Sequence, residues 1–233
     1  MTYEQLVSSL RENNIILSDL QTDCLKSYVN LLLQWNEMIN LTAIRKEEEI
    51  IEKHLFDSYL PSLLTDFHHK NIIDIGSGAG FPGIPLAILF PDSKFVLLEP
   101  IGKKTKFLLA VVSKLQLENV VVVNERAENY KEKRGFFDIA ISRAVAPLNI
   151  LLEISIPLVR VDGFFIAMKS QKTDDEINDA SNAIKKLNCD VVSILKNVLP
   201  STNSVRFNIL FEKKSGTDVK YPRPYAMILK RPL

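Results

Sequence analysis

Glycine is scarce in this chain, eight residues in 233, yet four of the eight stand within Gly76-Ser77-Gly78-Ala79-Gly80-Phe81-Pro82-Gly83. The apolar run Ile72-Ile73-Asp74-Ile75 leads into them. Glycine admits positive φ and lets backbone approach a ligand closely. A strand, a glycine loop and a helix in that order aim backbone N–H groups at whatever sits above the sheet edge. Two chemistries fit the spacing. Gly78, Gly80 and Gly83 satisfy the dinucleotide pattern G-x-G-x-x-G. Gly76, Gly78 and Gly80 satisfy G-x-G-x-G, with Asp74 two residues ahead. An acid there repels a pyrophosphate but accepts from the ammonium of an amino-acid cofactor. S-adenosylmethionine carries that ammonium and no phosphate, so Asp74 favours it over NAD.

A second acid supports the same reading. Glu99 closes the run Phe95-Val96-Leu97-Leu98, nineteen positions after Gly80. That is close to the ~20 expected for the carboxylate that accepts from ribose hydroxyls. Further candidates follow later apolar runs: Asn124-Glu125-Arg126-Ala127-Glu128 for the adenine, Ser142-Arg143-Ala144-Val145-Ala146-Pro147 for the reacting centre, and Lys169. Open α/β sheets bind ligands along this rim.

Methyl transfer from a sulfonium needs an acceptor lone pair aligned with the methyl carbon. Exocyclic amine methylation usually shows an Asn/Asp-Pro-Pro-aromatic element after the fourth strand, where this chain has Ser142-Arg143-Ala144-Val145. Cytosine C5 methylation needs a cysteine nucleophile near a strand end. Cys24 lies in the N-terminal helical region and Cys189 outside the core motifs. Acceptors that are already nucleophilic remain, such as a ring nitrogen. Guanine N7 is one; it carries no proton, and no general base is expected.

The elements that must position these residues are legible from periodicity. Ser18 and Gln21 have capping-box spacing, and Cys24, Leu25, Tyr28, Leu31, Leu32, Trp35 and Ile39 follow at helical steps. Asn40-Leu41-Thr42 ends that helix. A second is predicted from about Lys46 to Leu60, stopped by Pro61, with Glu47, Glu48 and Glu49 at its positive end. Residues 1–66 therefore read as a helical cap and 67–233 as a Rossmann-like core, packed as one compact unit. From Asn71, β-rich runs at 72–75, 95–99, 120–123, 137–141 and 164–168 alternate with helical segments at 83–90, 103–117 and 148–159. Near-continuous apolar runs in a βαβ alternation predict an α/β fold with a mostly parallel sheet. A helix at 174–187 precedes two runs, 191–195 and 206–211, placed to pair antiparallel. The expected sheet has seven strands with an antiparallel C-terminal strand, the class I methyltransferase arrangement.

Composition narrows the class. Net charge is +1, and no apolar run reaches the roughly 18 residues a membrane span requires. The N-terminus lacks the basic and apolar regions of a signal peptide, so a cytoplasmic location is expected. Two distant cysteines and three histidines give no metal-ligand spacing, and no metal is expected. Residues 200–233 carry seven basic residues against two acidic ones, a net +5 that reads as a solvated face or a phosphate-contacting edge.

Taken together, the chain resembles the RsmG (GidB) family of bacterial small-subunit ribosomal RNA guanine-N7 methyltransferases. The resemblance runs through Trp35-Asn36, Asn40-Leu41-Thr42, His54-Leu55-Phe56-Asp57-Ser58, the stretch Asp74 to Pro85, Arg126-Ala127-Glu128, Ser142-Arg143-Ala144 and Tyr221-Pro222-Arg223. It implies a guanine in the decoding-region loop of 16S rRNA, guanosine 527, as acceptor, in the rRNA, the small subunit or a precursor. It implies cofactor contacts at Gly76, Phe81, Ala127, Glu128 and Arg143; Asp74, Gly78 and Glu99 come from the chemistry above. His54, Asp57, Arg143 and Lys169 are candidates for positioning the substrate, with local hydrogen bonding as the other role open to His54 and Asp57. Lys103, Lys104 and Lys106 fit phosphate contacts or an exposed helix face equally. One departure is Lys169-Ser170, where the family often has Lys-Gly, which bears on the local backbone shape. A monomer is expected. Two other classes stay open: an NAD-dependent oxidoreductase, and a non-catalytic RNA-binding or ribosome-assembly module.

Overall fold

The structure, a computed structural model, describes residues 1–170 and 173–233. Its N-terminal part is helical: α1 (Tyr3–Glu12), α2 (Asp19–Met38), α3 (Glu47–Ile50), a π-helical turn (Ile51–Phe56), α4 (Asp57–Tyr59) and a 3₁₀ turn (Leu60–Leu63). The Ser18–Gln21 capping box starts α2 as the sequence predicts. Pro61 does not stop the second helical run. It enters the 3₁₀ turn near its start, where a missing N–H leaves no bond unmade. The π-helical turn was not legible from periodicity.

The core then alternates β1 (Asn71–Ile75), α5 (Gly83–Leu89), β2 (Lys94–Leu98), α6 (Gly102–Leu115), β3 (Val120–Val123), β4 (Phe137–Arg143), α7 (Leu148–Ser155) and β5 (Val159–Lys169). It continues with α8 (Thr173–Asp179), α9 (Ser181–Leu187), β6 (Cys189–Val198), β7 (Val205–Lys213) and α10 (Tyr225–Lys230). The predicted helix at 174–187 is thus two helices separated by Ala180, and α10 was not anticipated.

One seven-stranded sheet has the order β3-β2-β1-β4-β5-β7-β6. Strands β1 to β5 are mutually parallel, and β7 runs antiparallel between β5 and β6. The C-terminal ends of β1, β2 and β4 therefore open on one rim, where Gly76, Glu99 and Arg143 lie. One face of the sheet shares its core with the cap: Leu25, Tyr28 and Leu32 pack with Ile84 and Phe107. The other face is covered by α7, α9 and α10 through Leu151, Leu187 and Ile228. Trp35 belongs to the first core and packs on Phe107.

The basic excess of residues 200–233 is mostly engaged within the chain. Arg206 pairs with Asp57, Lys214 with Glu212, Lys220 with Asp218 and Arg223 with Glu153. Buried Lys213 donates to the carbonyls of Ile156 and Val159. Lys230 and Arg231 remain exposed. No helix among the described residues is long and apolar enough to cross a membrane.

Candidate active site

The glycine loop is built from below by Asp74. Its Oδ2 accepts from the Gly83 amide at 3.0 Å, and Ser77 Oγ donates to its carbonyl at 2.9 Å. The carboxylate is fully buried, and burial pushes its pKa up to about 7. A Cβ on Gly83 meets Asp74 Oδ2 at 2.7 Å and Leu97 Cδ2 at 2.3 Å, so this glycine serves the close packing of α5 on the sheet. Gly76, Gly78 and Gly80 all have positive φ. Asp74 anchors the loop without lining the space above it; its Oδ1 has no hydrogen-bond partner.

Above the loop lies a cleft of about 360 Å³ lined by Thr42, His54, Gly76, Gly78, Phe81, Glu99, Lys104, Arg143 and Val145, among others. Glu99 is buried at its edge, with Oε2 accepting from Gly78 N at 2.8 Å and Oε1 from Ile101 N at 2.9 Å. Each oxygen keeps a second lone pair free. Ala127 and Glu128 sit on a buried 3₁₀ turn after β3, outside this cleft. Asn124 ties that segment to the β2 end by donating to the Glu99 carbonyl at 2.8 Å.

Arg143, at the end of β4, is the hub. Its Nη1 lies 3.2 Å from Asp57 Oδ2 and donates to the Lys53 carbonyl at 3.3 Å; its Nη2 lies 3.1 Å from His54 Nδ1. The guanidinium also stands over the Phe81 ring at 5.3 Å, and His54 stacks on that ring with centroids 4.6 Å apart. Burial, aided by Arg143, pushes the His54 pKa down to about 3. His54 Nε2 lies 2.8 Å from Thr42 Oγ1. Thr42 is held in turn by Asn36, whose Oδ1 accepts from the amides of Leu41 and Thr42 and whose Nδ2 donates to the Thr42 carbonyl. The paired motifs Trp35-Asn36 and Asn40-Leu41-Thr42 thus form a clamp that places one hydroxyl at the cleft. Tyr28 adds a bond from α2 to the loop, donating to the Ala79 carbonyl at 2.5 Å.

A second cavity, of about 410 Å³, shares His54, Arg143 and Ala144 with the first. Its other lining residues include Asp57, Lys169, Ser170, Arg206 and Asn208. Lys169 Nζ donates to the Ala146 carbonyl at 2.9 Å and pairs with Glu176 at 2.6 Å. The structure therefore gathers Gly76, Gly78, Phe81, Glu99 and Arg143 at one cleft and Lys169 in the next. Thr42, Arg206 and Asn208 were not singled out from sequence as site residues. Asn208 had a signal, a polar residue inside the apolar run Ile209-Leu210-Phe211 and Phe207. Among the described residues no group of three His, Cys, Asp or Glu is placed to hold a metal ion.

This sheet order with an antiparallel β7, and a glycine loop between β1 and α5, define a Rossmann-like class I S-adenosylmethionine-dependent methyltransferase. The fold is similar to that of TYW2 from M. jannaschii, solved in complex with AdoMet, with TM-score 0.58 at 14% identity over 73% of this chain and 79% of that one. It is also similar to precorrin-6y C5,15-methyltransferase from Geobacter metallireducens, with TM-score 0.52 at 15% identity over 75% and 93% of the two chains. The family model described as rRNA small subunit methyltransferase G matches residues 21–205. The chain is 39% identical over 236 residues to the Ribosomal RNA small subunit methyltransferase G of Staphylococcus aureus (strain Newman), covering 100% of this chain and 99% of the relative. It is 40% identical over 237 residues to that of Oceanobacillus iheyensis, covering 100% of both. The chain belongs to this family of small-subunit ribosomal RNA methyltransferases. Membership of a methyltransferase family displaces the NAD-dependent and the non-catalytic readings.

Proposed function

We propose that the chain methylates N7 of a guanine in the decoding-region loop of 16S rRNA, guanosine 527 by resemblance to its family. The observation that carries this is the abutment of two cavities across Arg143, His54 and Ala144. One is founded on the glycine loop. The other has cationic side chains, Arg143, Lys169 and Arg206, on its walls.

The loop suits the cofactor. Positive φ at Gly76, Gly78 and Gly80 turns the loop, Gly78 has open space but for the Gly76 carbonyl where a Cβ would stand, and the free lone pairs of Glu99 can accept from ribose hydroxyls. Asp74 acts from behind the loop, fixing Gly83 and placing a carboxylate under the amino-acid end. Ala127 and Glu128 take the adenine side, next to the β2 end. Held there, S-adenosyl-L-methionine would supply an electrophilic methyl carbon bound to a sulfonium leaving group, and an acceptor such as N7 would need no proton removed.

The residues present match an acceptor of that kind. His54 is held neutral and both its ring nitrogens are engaged. Asp57 is paired with Arg143 and Arg206. Neither is free to act as a base, and N7 of guanine needs none. Arg143 and Lys169 position the base instead. N7 lies in the deep, narrow major groove of duplex RNA, so a loop guanine or a partly folded precursor is the fitting substrate. The cap (1–66) and the core (67–233) work as one unit, a monomer acting in the cytoplasm. Mapping 7-methylguanosine in 16S rRNA from cells with and without the gene tests the proposal. Loss of one modified guanosine is expected; an unchanged map overturns it.

A further inference from the structure

We propose that Asn208 reads the edge of the acceptor base and, with Asp57 beside it, restricts the reaction to guanine. This rests on the reading of the 410 Å³ cavity as the seat of that base. Asn208 lines the cavity and is only 1% exposed, yet neither its Oδ1 nor its Nδ2 has a hydrogen-bond partner. Buried polar side chains are nearly always paired, because an unpaired amide loses its hydration for nothing in return. Here the strand neighbours in register are Met168 and Leu195, which offer no polar side chain. Asp57 lines the same cavity; its buried Oδ1 has no hydrogen bond and meets only its ion-pair partner Arg206, 3.5 Å away. Arg206 and Asn208 are two apart on β7 and so share one face of the strand. An unpaired amide and a carboxylate oxygen held only by an ion pair thus belong to residues that line one cavity.

Their chemistry matches one base edge. A side-chain amide offers a donor beside an acceptor, which pairs with O6 and N1–H of guanine. The adjacent carboxylate oxygen is an acceptor only, which pairs with the N2 amine. Adenine could satisfy a flipped amide, but it sets a C–H against Asp57. Neither Asn208 nor Asp57 borders the glycine-loop cleft, whereas Arg143 borders both spaces. Holding the base by its Watson–Crick edge therefore leaves N7 free to face the shared wall.

The test is Asn208→Leu, assayed on small subunits or rRNA for kcat and KM, with cofactor affinity by calorimetry and the melting temperature alongside. The expected result is a kcat/KM lower by roughly 5- to 150-fold, the worth of one bidentate base contact. Cofactor affinity should be unchanged, and Tm equal or higher, since an unpaired amide contributes nothing to the fold. Unchanged kcat/KM overturns the proposal. So does a joint fall in Tm and activity, the mark of a structural amide. Inosine at the target position, which lacks the N2 amine, should be methylated more slowly by the wild-type protein; equal rates overturn the share given to Asp57. Ser170→Trp, at the cavity lining, separates the two levels. Full activity in that variant means the base does not enter here. Inactivity with intact cofactor binding, beside an unaffected Asn208→Leu, removes only the Asn208 assignment.

Discussion

Arg143 and His54 are joined by a 3.1 Å hydrogen bond that can run in one direction only. A guanidinium has donors and no acceptor, so Nδ1 of His54 accepts and Nε2 carries the proton, donated to Thr42 Oγ1 at 2.8 Å. The Thr42 oxygen already accepts from the Ile44 amide, which leaves its own proton to point elsewhere, on the wall of the glycine-loop cleft. A chain of fixed polarity thus runs from Arg143 at the β4 end through His54 to Thr42, on the lining of the cleft above the glycine loop.

Arg143→Lys should break that chain. An ammonium cannot serve Asp57, the Lys53 carbonyl and His54 from one planar fork. The expected loss in kcat/KM is about 100-fold, the scale of a misplaced reacting group. Steady-state methylation of small subunits measures it, and wild-type kinetics in this variant would remove Arg143 from the positioning role.

Glu99→Gln should cost cofactor affinity. Both carboxylate oxygens accept from backbone amides, Gly78 N and Ile101 N. A glutamine must turn its NH₂ toward one of those donors. Charge-assisted bonds of this kind are worth about 1.5–3 kcal/mol each, so the cofactor Kd should rise about tenfold or more by calorimetry. A Kd equal to wild type would show that Glu99 neither shapes the loop nor touches the ligand.

The glycine loop separates two functions that spacing alone had left mixed. Gly83→Ala drives a Cβ into Leu97 and Asp74 and should destabilise the fold by roughly 1–3 kcal/mol, as overpacking does. At Gly78 an added Cβ has only the Gly76 carbonyl near it, at 3.9 Å, but φ is +60°. Gly78→Ala should cost about 1–2 kcal/mol of left-handed strain and narrow the cleft. Denaturant titrations should show both losses, and the cofactor Kd should rise more in Gly78→Ala. The reverse order would invert the assignment.

What the sequence made legible was local. The strands around Asp74 and Glu99 announce themselves as apolar runs, and the glycines between them mark the loop. What it hid was set by distance. Asp57 meets Arg143 and Arg206 across 86 and 149 positions, and Glu153 meets Arg223 across 70, so the basic C-terminal stretch looked like free charge. The π-helical turn over Ile51–Phe56, which presents Lys53 and His54 to Arg143, has no signature in apolar spacing.

Glu153→Gln tests the structural side of that C-terminal stretch. Glu153 is fully buried and accepts from Arg223 N, Nε and Nη2 at 3.0, 2.7 and 2.5 Å. Removing one member of a buried pair costs about 3–5 kcal/mol. At roughly 2–4 °C per kcal/mol for a chain of this size, melting should fall by about 6 °C or more, with cofactor affinity unchanged. A small thermal shift would mean that Tyr221-Pro222-Arg223 is not held by this pair.

Asp74 and His54 should pull the pH dependence of stability in opposite directions. Burial raises Asp74 from an ordinary 3.8 to about 7. Between those values the folded protein keeps a proton that the unfolded chain has released, so this group makes stability fall as pH rises. Burial lowers His54 from 6.5 to about 3. Over that window the unfolded chain holds a proton that the folded protein lacks, so His54 makes stability rise with pH, and its contribution is lost as pH falls. The isosteric tests are Asp74→Asn, whose carbonyl can still accept from Gly83, and His54→Gln, which can accept from Arg143 and donate to Thr42. Urea denaturation between about pH 4.5 and about pH 6.5 should give a steeper rise in stability with pH for Asp74→Asn than for wild type, and a shallower one for His54→Gln. Three parallel lines would mean that neither group is held in the charge state its burial dictates.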